Sequence, residues 1–229
     1  MRSRNLVSIR LLRATGIGPA LRHIAAFGFG AEALPANLTL ALGTGQVTPL
    51  EMARGYAVFA NGGFLVTPYV IERITDGRGA TEFAAAPPVA CADCPDEPLA
   101  PQAISPANAF VMTDVMTDVI QRGTATAARS LGRSDLAGKT GTTNDRRDAW
   151  FLGFNADIAA AAWVGFDQER SLGETEEGGR TALPMWIYFM EEALRDRPEH
   201  RMPEPPGVVR MWVDRSTGRP TSAGAGGAV

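Results

Sequence analysis

The chain has 229 residues, 45% of them hydrophobic, with a net charge of −3 and a pI near 5.5. That is apolar material enough for a substantial core in one domain or a little more. Charges of both signs are interspersed, so the basic footprint of a nucleic-acid-binding surface is missing, and neither a membrane-spanning apolar run nor a signal peptide is present.

In chain order, Ser3 to Arg13 reads as a helix carrying Leu6, Ile9 and Leu12, stopped by Gly16. A second helix is expected from Pro19 to Phe27. The Thr- and Gly-rich "LTLALGTGQV" reads as a loop. "TPLEMARGYAVFANGG" has strong helix signals: Thr48 as N-cap, Pro49 at the first position, Glu51 closing a capping box and Gly62-Gly63 as the stop. "YVIERITDGRGATEFAA" predicts two strands around a Gly-containing turn. Residues 84–106 form an Ala/Pro-rich connector holding both cysteines. Ser105-Pro106 opens a helix that runs to Gly123 with Phe110, Val111, Val115, Val119 and Ile120 near helical spacing.

Three strands follow: one around "LAGKTGTT", one at "AWFLGF" and one in "IAAAAWVGFD", the last two joined by the tight turn Asn155-Ala156-Asp157. Connections this short make the strands antiparallel, since a parallel crossover needs a dozen residues or more. A last helix spans roughly Ala182 to Arg195, and residues 203–229 form a Pro/Gly-rich tail with one short strand, "GVVRMWV". The expected class is α+β, an antiparallel sheet covered by helices.

The most chemically suggestive letters are Gly138-Lys139-Thr140-Gly141-Thr142. A phosphate-binding loop would need glycine where Arg133 stands and a helix where Gly141 to Asn144 follow, so that reading fails. On a strand, Lys139 offers a compact ammonium, and Thr140 and Thr142 point to one face. Gly141 lets a substrate backbone approach, and the Thr142 N–H can serve an oxyanion if the strand lies at an edge. The simpler alternative is a Gly/Thr-rich edge strand with a snorkelling lysine. One compositional fact bears on this: the 22 basic residues are 21 arginines and a single lysine, Lys139. Upstream, Ser3-Arg4-Asn5 has the Ser-x-Asn pattern that accompanies Lys-Thr-Gly in penicillin-recognising serine enzymes. Taken alone, Ser3 reads more readily as a helix N-cap.

In order and spacing, "VTPLEMARGYAVFANGG", "VIQRGTATAA", "LAGKTGTTND" with "DAWFLGF", and "AAWVGFD" resemble the transpeptidase domain of class A penicillin-binding proteins, nearest in type to the 1A bifunctional peptidoglycan synthases. The likeness runs from Ser3 to Val213. It implies an N-terminally truncated penicillin-binding/transpeptidase (β-lactamase-like) fold, with residues 1–202 as the C-terminal part of the transpeptidase domain. It further implies that Ser3 is a proton-relay hydroxyl, Asn5 a contact to the substrate amide, and Lys139 the second basic residue of the site. Thr140 and Thr142 would grip the substrate's terminal carboxylate beside Gly141, and the Thr142 N–H would be half of the oxyanion hole. The implied partners are peptidoglycan stem peptides ending in D-Ala-D-Ala and the β-lactams that imitate them, with no cofactor or metal. The implied location is the periplasmic face of the cytoplasmic membrane.

One departure is decisive. The family's nucleophile lies in Ser-x-x-Lys, and this sequence holds none, because three residues before its only lysine stands Leu136. The resemblance further implies that the N-terminal half of the domain, the glycosyltransferase domain and the membrane anchor are expected outside these residues. The chain is therefore expected to be inactive alone, and a non-catalytic peptidoglycan- or partner-binding module is the alternative, with a D,D-carboxypeptidase or β-lactamase relative as a third. Early helices deprived of their cover are expected to expose apolar faces. Cys91 and Cys94 read as a local disulfide or two free thiols rather than a redox pair. His23 and His200 are too isolated to complete a zinc site, and His200 is expected in a solvated loop. "GETEEGG" is expected as an exposed loop near the rim of the site.

Overall fold

The computed structural model describes residues 3–92, 94, 98–214 and 217–222. Its centre is a three-stranded antiparallel meander, β3 (Ala137–Thr142), β4 (Ala149–Phe154) and β5 (Ala159–Val164), in the order β3-β4-β5. Its preceding pair, β1 (Arg73–Thr75) and β2 (Thr81–Ala84), forms a separate hairpin exposed throughout. Local chemistry closes both turns of the meander. Asn155 Oδ1 accepts from the N–H groups of Asp157 and Ile158 at 3.1 and 2.9 Å, an Asx turn. Between β3 and β4, the Asp148 N–H donates to Thr143 Oγ1 at 2.8 Å and the Thr143 N–H to the Asp148 carbonyl at 3.1 Å.

Helices cover both faces of this sheet. On one face, α5 (Leu183–Ala193) brings Leu183, Trp186 and Met190 onto Ala149, Phe151 and Ala162, joined by Val119 and Ile120 from the end of α4 (Pro106–Arg122). On the other, Ala60 at the end of α3 (Pro49–Ala60) and Met116 of α4 pack with Ala137 and Phe154, flanked by Tyr56 and Phe59. The register of β3 on β4 pairs Gly138 with Gly153. Both positions need glycine for space: a Cβ on Gly138 would come 2.6 Å from the Leu152 carbonyl, and one on Gly153 would come 2.5 Å from the Trp186 ring. The Trp186 indole N–H donates to the Gly153 carbonyl at 3.3 Å, so α5 is keyed to that one pair.

The capping box of α3 forms as expected, with Glu51 N–H on Thr48 Oγ1 at 3.2 Å and Glu51 Oε2 accepting from the Thr48 N–H at 2.7 Å. Ser105 caps α4 by accepting from the Asn108 N–H. Four expectations shift. α1 spans Asn5–Thr15, two residues later than read, because Arg4 and not Ser3 is the N-cap. α2 spans Ile17–Ala25, starting directly after Gly16, whose φ of 90° breaks the chain between the two helices. The stretch read as loop contains a 3-10 helix, Leu38–Leu42, nucleated by Asn37 accepting from the Thr39 N–H. α5 is entered through a π-turn, Gly178–Ala182.

The strand expected at "GVVRMWV" does not form among the described residues, where only a single bridge joins Val213 to Pro220. Val209, Met211 and Trp212 are exposed there, so the alternation has no sheet face to bury against.

The segment after α5 is tied back to the start of β3 by a buried polar knot. The Asp135 carboxylate receives a two-nitrogen fork from Arg133 at 2.9 and 2.7 Å, Asn155 Nδ2 at 3.0 Å and the His200 backbone N–H at 3.0 Å. Burial opposes its charge, but these bonds outweigh it and hold the carboxyl below the usual aspartate value. His200 is thus part solvated, as expected, and part anchored: its ring, half exposed, meets Asp157 at 2.7 Å. Arg133 further donates to the carbonyls of Arg197 and Pro198. Cys91 and Cys94 form a local disulfide in the connector. No described helix is long and apolar enough to cross a membrane.

Candidate active site

β3 is an edge strand of the meander, the condition that the oxyanion role of the Thr142 N–H requires. Alternation divides its side chains. Lys139 shares a face with Ala137, on the side covered by α3 and α4, while Thr140 and Thr142 share the face covered by α5 and its leading π-turn.

Lys139 is half-buried, and burial pulls its ammonium below the ordinary lysine pKa. It donates to two oxygens: the Thr140 carbonyl at 2.7 Å and the hydroxyl of Ser3 at 2.6 Å. The second bond joins residues 136 apart in sequence. Ser3 sits just ahead of α1 with φ of 43°, in the left-handed region that a residue with a Cβ seldom occupies. Its hydroxyl does not cap the helix, which has no side-chain cap bond, but is spent on Lys139. Because an ammonium can only donate, Ser3 Oγ is the acceptor in this pair, and its own proton remains available for another group.

Asn5, the first residue of α1, is exposed and its carboxamide has no hydrogen bond among the described residues. The structure therefore brings Ser3 and Lys139 together and leaves Asn5 close in sequence but unengaged. Gly141 lies opposite Trp150, where a Cβ would come 3.1 Å from the Trp150 Cβ.

Two residues that the sequence did not single out complete the surroundings. Thr124, just beyond the end of α4, shares a 2.6 Å hydrogen bond with the Thr140 hydroxyl. The Gly178 N–H donates to Thr142 Oγ1 at 3.0 Å. The stretches "VIQRGTATAA" and "GETEEGG" contain both, but the family resemblance gives Thr124 no role of its own, and the acidic pattern predicts an exposed loop near the rim without singling out Gly178. That loop does reach the site: its Glu174 and Glu177 are exposed, while Gly178 is buried against β3. No group of His, Cys, Asp and Glu that could hold a metal occurs among the described residues.

Comparison with known proteins identifies the family. The penicillin binding protein transpeptidase domain matches residues 3–169. Penicillin-binding protein 1A of Pseudomonas aeruginosa is 44% identical over 99% of this chain, which covers 32% of that protein. The crystal structure of penicillin-binding protein 1A from Haemophilus influenzae superposes with a TM-score of 0.92 at 38% identity, over 97% of this chain and 38% of that one. The PonA1 protein from Mycobacterium tuberculosis in complex with penicillin V matches with a TM-score of 0.63 at 27% identity, over 78% of this chain and 46% of that one. The chain thus spans about a third of the length of the Pseudomonas relative.

Proposed function

Because the chain belongs to the penicillin-binding protein transpeptidase family, we propose that it supplies the second half of a serine D,D-transpeptidase site that cross-links peptidoglycan stem peptides. The observation that carries this reading is the Lys139–Ser3 hydrogen bond. In the proposed reaction a serine nucleophile attacks the carbonyl between the two terminal D-alanines. The N–H of Thr142 donates to the oxyanion that develops, in a geometry fixed before the reaction begins. Lys139 holds Ser3 Oγ as an acceptor, so the Ser3 hydroxyl can act as a relay: the proton released by the attacking serine, carried by that serine's own base, passes to Ser3 Oγ as the Ser3 proton passes to the departing D-alanine nitrogen. The hydroxyls of Thr140 and Thr142 hold the terminal carboxylate, and Asn5 holds the substrate amide. An amine of a second stem peptide then takes the acyl group. β-Lactams enter by the same route and remain on the serine.

No Ser-x-x-Lys occurs in the 229 residues, so in this reading the acylated serine lies outside this sequence. By itself the chain is expected to give no turnover. The Cys91–Cys94 disulfide supports a location on the periplasmic face of the cytoplasmic membrane, since such bonds persist in oxidising compartments.

Incubation with penicillin and intact-mass measurement tests both halves of the proposal. The 229-residue chain is expected to gain no adduct, and a full-length class A enzyme carrying this segment is expected to accumulate a long-lived acyl-enzyme. Stoichiometric labelling of the chain alone would overturn the first expectation. Rapid release of hydrolysed drug by the full-length enzyme would replace a transpeptidase with a β-lactamase.

A further inference from the structure

We propose that Thr124 and Gly178 are positioning residues that aim the two threonine hydroxyls of β3, and that they thereby set how strongly the site holds a substrate carboxylate. This rests on the reading of Thr140 and Thr142 as the carboxylate grip and adds the layer behind it.

A threonine hydroxyl is both donor and acceptor, and its proton rotates freely unless a neighbour fixes it. A carboxylate is an acceptor only, so each hydroxyl that grips it must present its proton. Thr142 is prepared for this by the backbone. The Gly178 N–H can only donate, so Thr142 Oγ1 accepts from it at 3.0 Å and its own proton is left to point elsewhere. Thr140 is prepared by Thr124, 2.6 Å away. In an empty site either hydroxyl of that pair can donate. A carboxylate on Thr140 fixes the direction: Thr124 donates to Thr140, and Thr140 donates to the ligand, a chain of two bonds in which each polarises the next.

Both supports are held rigidly. Thr124 follows Gly123, the C-cap of α4, and α4 packs beneath the sheet. Gly178 rests on the β3–β4 backbone so closely that a Cβ would come 2.3 Å from the Trp150 carbonyl and 2.4 Å from the Gly141 carbonyl. On Gly179 a Cβ would come 2.8 Å from the Thr124 carbonyl, so the residue after Gly178 lies close against Thr124. Backbone atoms cannot give way as a flexible side chain can, which makes the Gly-Gly pair a seat for the loop and not a hinge.

The test compares acylation by a penicillin with acylation by its neutral methyl ester in a full-length class A enzyme carrying this segment. Thr124→Val, which keeps shape and removes the hydroxyl, is expected to slow the penicillin about tenfold, the effect of one hydrogen bond. The ester rate should hold, since the ester offers no carboxylate. Thr124→Ser should restore the penicillin rate. A loss shared equally by both substrates would mean that Thr124 only holds the fold. If Thr140→Val and Thr142→Val lower the ratio while Thr124→Val does not, the grip stands and the positioning role fails. If neither Thr140→Val nor Thr142→Val lowers it, the grip fails and the positioning role with it.

Discussion

Lys139 and Ser3 meet at 2.6 Å, yet they come from regions held in opposite ways. Lys139 stands on a strand whose neighbours Leu136 and Ala137 are fully buried, whose register is keyed by Trp186, and whose entry is tied down by Asp135. Ser3 precedes a helix that leaves Leu6, Val7 and Leu11 exposed, at 68%, 55% and 64%. Only Leu12 of α1 is buried. The exposed faces expected of the early helices are thus present. Half of the site is carried by its own core, and the other half by a segment with little apolar cover. Strength in one partner of a hydrogen-bonded pair does not confer it on the other.

This contrast can be broken most forcefully in the core. Trp186→Ala should cost about 3–5 kcal/mol, the usual range for emptying a buried aromatic position, and should appear as a lower denaturation midpoint of the 229-residue chain. A loss below ~1 kcal/mol would mean that α5 is not keyed to β4 as described. Lys139→Arg separates chemistry from core. A planar guanidinium cannot occupy the place of a compact ammonium between Ser3 and the Thr140 carbonyl. Acylation of a full-length enzyme carrying the segment should fall on the order of 10²–10³-fold, as when an oxyanion donor is lost, with the melting temperature nearly unchanged. Near-normal acylation by a folded Lys139→Arg enzyme would remove the site assignment.

Acid sharpens the same contrast. The bonds to Asp135 lower its pKa in the folded state, so their stabilisation is fully present above the unfolded carboxylate value, near 4. It is lost as pH falls through the folded value. Asp135→Asn should therefore flatten the acid limb of a stability–pH curve, besides costing roughly 3 kcal/mol at neutral pH because Arg133 is left without its buried partner. An unchanged acid limb would count against the knot. The smallest effect is expected at the other region: Leu6→Ser should change stability by no more than about 0.5 kcal/mol while improving solubility on concentration. A large destabilisation would show that α1 is packed more firmly than its exposure indicates.

How much of this was legible in the sequence follows from how far each signal reaches. The capping box at Thr48 and Glu51, the turn at Asn155 and the strand "AWFLGF" are local patterns, and all three were readable. The antiparallel meander followed from its short connections. Ser3 and Lys139 could be paired only through the family resemblance, because nothing in either stretch announces a bond across 136 residues. The Thr124–Thr140 pair and the Asp135–His200 tie left no trace at all, since a hydrogen bond between distant residues imposes no periodicity. The tail was misread for the converse reason. Its alternation of Val and Met imitates a strand, but a strand needs a partner, and Pro205-Pro206-Gly207 leads the chain past the sheet.

The indole that keys α5 to β4 also gives the molecule an optical reporter. Trp186 is 1% exposed and lies with its ring centroid 4.9 Å from that of Phe151, whereas Trp212 in the tail is 50% exposed. An indole in apolar surroundings emits to the blue of one in water, so Trp186 and Trp212 mark the two ends of an emission that the partly buried Trp150 and Trp163 share. The substitution Trp186→Phe isolates its blue contribution, which is present only when helix and sheet have assembled. A fluorimeter can therefore follow the folding of the lysine's half of the site without a label, a substrate or a drug.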